Sequence, residues 1–251
     1  MKKMLPLILA AVLMLPLEAC GRGSGSMTRE EMLEAAAECD FSAIQSAYND
    51  NSVNAEESYC GQVYRFTGYV EQIDETSVKI IPLNAPVGLT PSEAYSMAVD
   101  VTLSTEAIRE LSTFEVVNIV GEINSLGSNT VYMENAYYVD NLITFTGTVD
   151  GFALNSGFKQ TTIVGDMEII GDDAVTLSYV YMGESVDLGQ PGALDTFEQE
   201  TFQDVTVLEG DTVTITGNLT YNKATYLNLG GGLYAHTREF SLTSVESIVK
   251  E

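Results

Sequence analysis

The 251-residue chain contains no tryptophan, one histidine, three cysteines and only 11 lysines and arginines. Each shortage excludes something. A single histidine, His236, rules out the multi-histidine zinc and iron centres, and three cysteines leave little material for a soft-metal site. Eleven basic residues face 36 acidic ones, a formal net charge of −25, with a sequence pI near 4.1. Binding to nucleic acid relies on lysine and arginine displacing counterions from phosphates, so this balance argues against it. What the chain has in quantity is apolar residues, 45% of the total, enough to build one large core or two small ones.

The first residues read as an address. Met1-Lys2-Lys3 is a short basic start, and Met4 to Leu17 is a 14-residue apolar run broken by Pro6 and Pro16. A helix needs about 20 residues to cross a bilayer, so residues 1–19 read as a secretory signal peptide. Leu17-Glu18-Ala19-Cys20-Gly21 resembles a bacterial lipobox, in which the cysteine becomes the lipidated N-terminus. Glu18 stands where a small or hydroxyl residue is usual. Removing Lys2, Lys3 and Glu18 leaves 9 basic and 35 acidic residues, a net charge of −26. Residues 20–27 then form the lipidated Cys20 and a Gly/Ser tether with a reach of about 15 Å. The expected location is extracytoplasmic, at a bacterial cell membrane. The expected membrane partner is reached through the acyl chains on Cys20, because an anionic surface is repelled by anionic lipid headgroups.

From residue 28 the periodicity is first helical. Thr28-Arg29-Glu30-Glu31 is a capping-box pattern, and Met32, Leu33, Ala36 and Ala37 form an apolar stripe. Cys39-Asp40 interrupts it, and Asp40 can cap a second helix carrying Phe41, Ile44, Ala47 and Tyr48. Asn49-Asp50-Asn51-Ser52 stops that helix, since these side chains compete for backbone hydrogen bonds. Beyond this point the reading is of strands with a period of two.

The strand region contains one unit written twice. Phe66-Thr67-Gly68-Tyr69-Val70 and Phe145-Thr146-Gly147-Thr148-Val149 share the pattern Phe-Thr-Gly-x-Val, with glycine inside an alternating strand. Each copy has a later matched strand, ending at Gly121 in the first and Gly217 in the second. In the first copy, strands at Ser77–Leu83 and Ala98–Leu103 precede a helix at Ser104–Leu111, and a last strand covers Thr130–Val139. Five strands with a helix between the third and fourth is the order of a five-stranded OB barrel. The second copy is expected to follow it, with a hairpin turn at Gly171-Asp172-Asp173, a helix at Leu194–Phe202, and final strands at Thr225–Leu229 and Glu239–Val249. The fold class is therefore mainly β: tandem five-stranded OB-like barrels after a short N-terminal helical segment. The expected units are residues 28–140, the helical segment with the first barrel, and residues 141–251, the second barrel.

Tyr48, Asn51, Ala55, Glu56, Tyr59, Gly61, Gly68 and Val70 carry a family resemblance. Their spacing resembles the entry to the bacterial OB-fold lipoprotein family described as tRNA-anticodon-binding-like, with Gln62 in place of the usual lysine. The resemblance covers about residues 40–140, and the remainder only through the shared strand motif. It implies an OB fold on a secreted, lipid-anchored chain and carries no established activity.

No pattern marks a catalytic, cofactor-binding or metal-ligating set. The acidic groups Asp172-Asp173, Glu198/Glu200 and Glu209-Gly210-Asp211 are short, and none forms an Asp-x-Asp-x-Asp-Gly calcium loop. They read as a hairpin turn, a solvated helix face and a strand-entry turn. His236, beside Gly230-Gly231-Gly232, reads as a surface or loop residue, with no nucleophile-elbow pattern around any serine. The strand aromatics, Tyr64, Phe66, Tyr69, Tyr132, Tyr137, Tyr138, Phe145 and Tyr221, read as barrel core or cross-strand pairs. Cys39 and Cys60 lie in a compartment that permits a disulfide, and a bridge between them would be worth about 3 kcal/mol of loop entropy. Two reduced thiols is the equal alternative. The function expected is a lipid-anchored binding or interaction module for a protein, peptide or glycan at the envelope, without nucleic acid or cofactor. The rival is a carboxylate-based envelope enzyme, with or without calcium.

Overall fold

The computed structural model describes residues 27–85, 97–170, 173–186, 198–230 and 233–251. The signal peptide, Cys20 and its tether, and the Gly171-Asp172 part of the expected turn lie outside the described residues. Among the described residues no helix is long and apolar enough to cross a membrane.

The helical entry forms as its caps dictate. Helix α1 (Arg29–Ala35) begins with the full capping box: the Glu31 amide donates to Thr28 Oγ1 at 3.3 Å, and the Thr28 amide donates to Glu31 Oε2 at 2.8 Å. Strand β1 (Ala37–Glu38) follows, and Asp40 caps helix α2 (Phe41–Asp50) by accepting from the Ala43 amide at 2.9 Å. Asn51 ends α2, as expected, yet it also starts a third helix, α3 (Ser52–Tyr59). Its Oδ1 accepts from the Val53 and Asn54 amides, so the residue that stops one helix caps the next. The strand period therefore begins after Tyr59 rather than after Ser52, a correction to the expected onset.

Strands β2 (Val63–Ile73), β3 (Ser77–Pro82) and β4 (Ala98–Thr102), helix α4 (Thr105–Glu110), and strands β5 (Val116–Leu126) and β6 (Thr130–Asp140) build the first barrel. Their order around the sheet is β2-β3-β4-β6-β5, closed by pairing of β5 with β2. Only β4 and β6 run parallel within this ring, which is the OB order. Strand β1 adds to β2 in parallel. Strands β7 (Ile143–Asn155), β8 (Phe158–Val164), β9 (Glu168–Ile170), β10 (Asp173–Ser185), β11 (Gln199–Phe202), β12 (Val205–Leu208), β13 (Thr212–Gly230) and β14 (Leu233–Lys250) follow. The second ring is β7-β8-β10-β14-β13, closed by pairing of β13 with β7, and its parallel pair is β10 with β14. The fold is mainly β, with both rings in the same order.

The repeat is physical as well as lexical. A Cβ on Gly68 would lie 2.6 Å from Ile80 Cγ2 and 2.7 Å from the Ile81 carbonyl oxygen. One on Gly147 would lie 2.8 Å from the Val164 carbonyl oxygen and 2.9 Å from Ile163 Cγ2. In each barrel the glycine lets the neighbouring strand approach where no side chain fits. Two residues on, the register slips in both copies, after Val70 and after Val149. The turn before the fourth strand is shared too: Val70 and Val149 donate to the carbonyls of Glu115 and Asp211, and accept from the amides of Phe114 and Gly210.

The second barrel departs from expectation in two places. Of the expected helix at Leu194–Phe202, residues 198–202 are described, and Gln199–Phe202 is strand β11, paired antiparallel with β12. Its burial alternates, with Glu200 and Phe202 inside, so a period of two prevails over a helical one. The segment expected as a separate strand at Thr225–Leu229 is the outer part of the continuous 19-residue β13.

Two cores result. The first joins barrel residues such as Val78, Ile80, Val99 and Ile119 to Phe41, Ile44 and Ala55 from the helices. The second fills the second barrel with Phe145, Val149, Ile163, Ile215 and Phe240, and extends onto Tyr69, Ile81, Ala98 and Val116 of the first. The outer face of one barrel thus belongs to the core of the other.

Candidate functional site

The junction between the barrels is where polar groups and open space meet. Strand β14 buries His236, Arg238 and Phe240 at alternate positions, the inward row of a period-two strand. Arg238 is 1% exposed. Its guanidinium donates to the carbonyls of Pro82 at 3.1 Å, Leu83 at 2.7 Å and Ala85 at 3.3 Å, fastening the second barrel to the segment after β3. Burial pulls its pKa below the ordinary arginine value, while Tyr69 and Tyr221 oppose that shift. Those two rings stack 4.0 Å apart across the junction, and the Tyr221 amide donates to the Phe114 carbonyl. Burial raises both phenol pKa values.

A cleft of about 310 Å³ opens beside this fastening. Its floor comes from β10 (Val175, Leu177, Tyr179) and from Phe145 of β7, and Leu83 of the first barrel forms one wall. Phe145 and Tyr179 stack with centroids 3.7 Å apart. Asp166 and Glu168, on the segment between β8 and β10, supply carboxylates to the rim. Burial, and then the nearby Glu168 charge, raise the Tyr179 phenol pKa, so the Glu168 field reaches the cleft floor. An apolar floor with a few placed polar groups is the usual make-up of a ligand site. Here those groups are acceptors and negative.

A second groove, about 230 Å³, lies between α1 and the first barrel over Leu33, Phe66 and Ile119. The exposed Arg65–Glu38 ion pair at 2.6 Å lines it. Arg29 donates to the Val139 carbonyl and Tyr137 to the Met27 carbonyl, so this groove is the seam where residues 27–29 meet the first barrel.

The residues singled out in the sequence fall in several places. Cys39 and Cys60 are both free thiols, Cys39 buried and Cys60 half-buried against the first core. Burial raises both pKa values, reinforced at Cys39 by Asp40 and Glu38 and at Cys60 by Glu56. His236 is neither a surface nor a loop residue, which corrects the expectation: it lies on β14, 2% exposed, with the rings of Tyr226 and Tyr234 at 5.9 and 6.4 Å. Asp211 accepts from the Leu208 amide and from Lys250, each at 2.6 Å, and Glu200 lies 3.4 Å from Lys159. Glu200 is therefore turned inward on a strand and not on a solvated helix face. Phe66, Tyr69 and Phe145 are core, whereas Tyr132 is 42% exposed. Arg238, Asp166 and Glu168 were not singled out. For Arg238 a signal existed, the alternation of His236, Arg238 and Phe240 in one strand.

No family model matches the chain, and no curated protein matches it. Among solved structures it is similar to a protein of Klebsiella pneumoniae described as a lipoprotein, with nucleic-acid binding ascribed to it. The identity is 12%, over 45% of this chain and 100% of that one, with a TM-score of 0.35. A likeness of that size carries no argument here. The OB-like character rests on strand order and closure, and the family resemblance stays at that coarser level.

Proposed function

We propose that the chain is a lipid-anchored, extracytoplasmic binding module whose ligand seats in the cleft between the barrels. The observation that supports this reading is the cleft itself: an aromatic and aliphatic floor, a wall from the other barrel, and carboxylates at the rim. The Arg238 contacts hold Leu83 against the second barrel, so the site is preorganised and binding costs little ordering. The lipobox and tether supply the anchorage, in keeping with the resemblance to OB-fold lipoproteins. The ligand class is an envelope protein, peptide or glycan. Nucleic acid is disfavoured by the net charge of −25.

Two measurements test it. Cys20→Ala should move the protein from the membrane fraction to the soluble fraction; retention on the membrane would overturn the anchorage. Peptide and glycan arrays probed with the wild type and with Leu177→Trp, which places a larger side chain on the cleft floor, test the site. A ligand lost in the variant is expected, whereas equal profiles would remove the cleft from the reading.

A further inference from the structure

Strand β9 is the free edge beside this cleft. Glu168, Ile169 and Ile170 pair with Val175, Ala174 and Asp173 of β10 on one side. Among the described residues no strand lies on the other side, because β9 ends the sheet. Its approach alternates strictly. Asp166 and Glu168 line the cleft, while Met167 and Ile169 are 65% and 66% exposed. Among the described residues neither carboxylate has an ion-pair partner. A sheet edge offers backbone donors and acceptors to an added strand, and the side-chain alternation on either face supplies the selection.

Resting on the cleft reading above, we infer that the occupant is an extended peptide segment with alternating basic and apolar residues, added as a strand beside β9. Its basic side chains enter the cleft. Their aliphatic stems lie on Leu177 and Leu83, and their charged heads meet Asp166 and Glu168. Its apolar side chains fall on the other face and cover Met167 and Ile169. The period of two matches both faces at once, and neither a neutral glycan nor an acidic peptide does so. The net charge of −25 speeds the encounter with a cationic segment. The cleft and the alternation then determine where it stops.

The test uses the full mature chain carrying Cys20→Ala and a fluorescein-labelled octapeptide of alternating arginine and valine. Its glutamate–valine counterpart and neutral chitotetraose serve as the other probes. Saturable anisotropy with the basic peptide alone is expected, with slowed amide exchange at Glu168–Ile170. The pair Asp166→Arg and Glu168→Arg should weaken it at least about tenfold, while Glu30→Arg with Glu34→Arg, an equal charge change on α1, should leave it within about twofold. Equal weakening by both pairs, in variants with unchanged circular dichroism, would mean diffuse attraction and overturn the inference. If chitotetraose protects these amides and the basic peptide does not, the peptide inference falls while the cleft reading survives. If no probe protects them, both fall.

Discussion

Between its third and fourth strands the first barrel carries α4, and the second carries the β11–β12 hairpin. Helix α4 is capped by Ser104, which accepts from the Ala107 amide at 3.2 Å, and it sends Ile108 and the following Leu111 into the first core. The hairpin sends Phe202 and Val207 into the second core, but it also inserts Glu200. That carboxylate meets Lys159 of β8, and both residues are only 9% exposed. Lys159 lies over the Phe152 ring at 5.8 Å and donates to the Gln199 carbonyl. A barrel mouth needs apolar cover, and either element can supply it. A hairpin facing an inward lysine must in addition bring the opposite charge, because a lone buried charge is costly.

The largest expected effect lies in that difference. Glu200→Ala leaves Lys159 facing a desolvated site and should cost about 3 kcal/mol, whereas Lys159→Met with Glu200→Leu should be close to neutral. Urea denaturation reads both, and an equal loss in the double variant would make the hairpin's packing, not its charge, the distinguishing feature. Arg238→Met removes the buried donor that three carbonyls share and should cost about 2–3 kcal/mol. It should also split one unfolding transition into two, since it removes the fastening between the barrels; a single unshifted transition would show that the stacked tyrosines and apolar contacts suffice.

Where the barrels are alike, equal losses are expected. Gly68→Ala and Gly147→Ala each force a methyl group against a neighbouring strand and should each cost about 2 kcal/mol. A loss in one copy alone would break the equivalence of the repeats. The smallest effect is on the acid limb. The hydrogen bond from Lys250, and then that from the Leu208 amide, hold the Asp211 pKa below the ordinary carboxylate value. A lowered folded pKa contributes stability above the unfolded pKa and loses it as pH falls through the folded one. Asp211→Asn should therefore lower stability at neutral pH and flatten its acid dependence in urea denaturation across pH, and an unchanged acid limb would remove this turn from the comparison.

Much of the scaffold was legible because its causes are local. Caps at Thr28, Asp40 and Ser104 announce helices through hydrogen bonds three residues long. Helix α3 escaped because Asn51 performs both capping tasks and the following eight residues lack a clear apolar stripe. The β11 segment was misread because four residues can satisfy either period until a partner strand is known. His236 and Arg238 escaped because polar residues are expected outside; Arg238 finds its inside against carbonyls of the other barrel, and His236 finds its own between the rings of Tyr226 and Tyr234.

Shortage and patterning in the sequence alone determined the net charge of −25, the order of the strands and the doubled Phe-Thr-Gly-x-Val unit. Each depends on composition or on neighbours within a few residues. Tertiary structure alone decided that Arg238 reaches carbonyls some 155 positions away in the chain, that Glu200 meets Lys159, and that Leu83 walls a cleft floored by Tyr179. The first and last of these form only when two closed barrels press together, and the Glu200–Lys159 pair only when the hairpin folds over β8; no local period encodes which surfaces will meet.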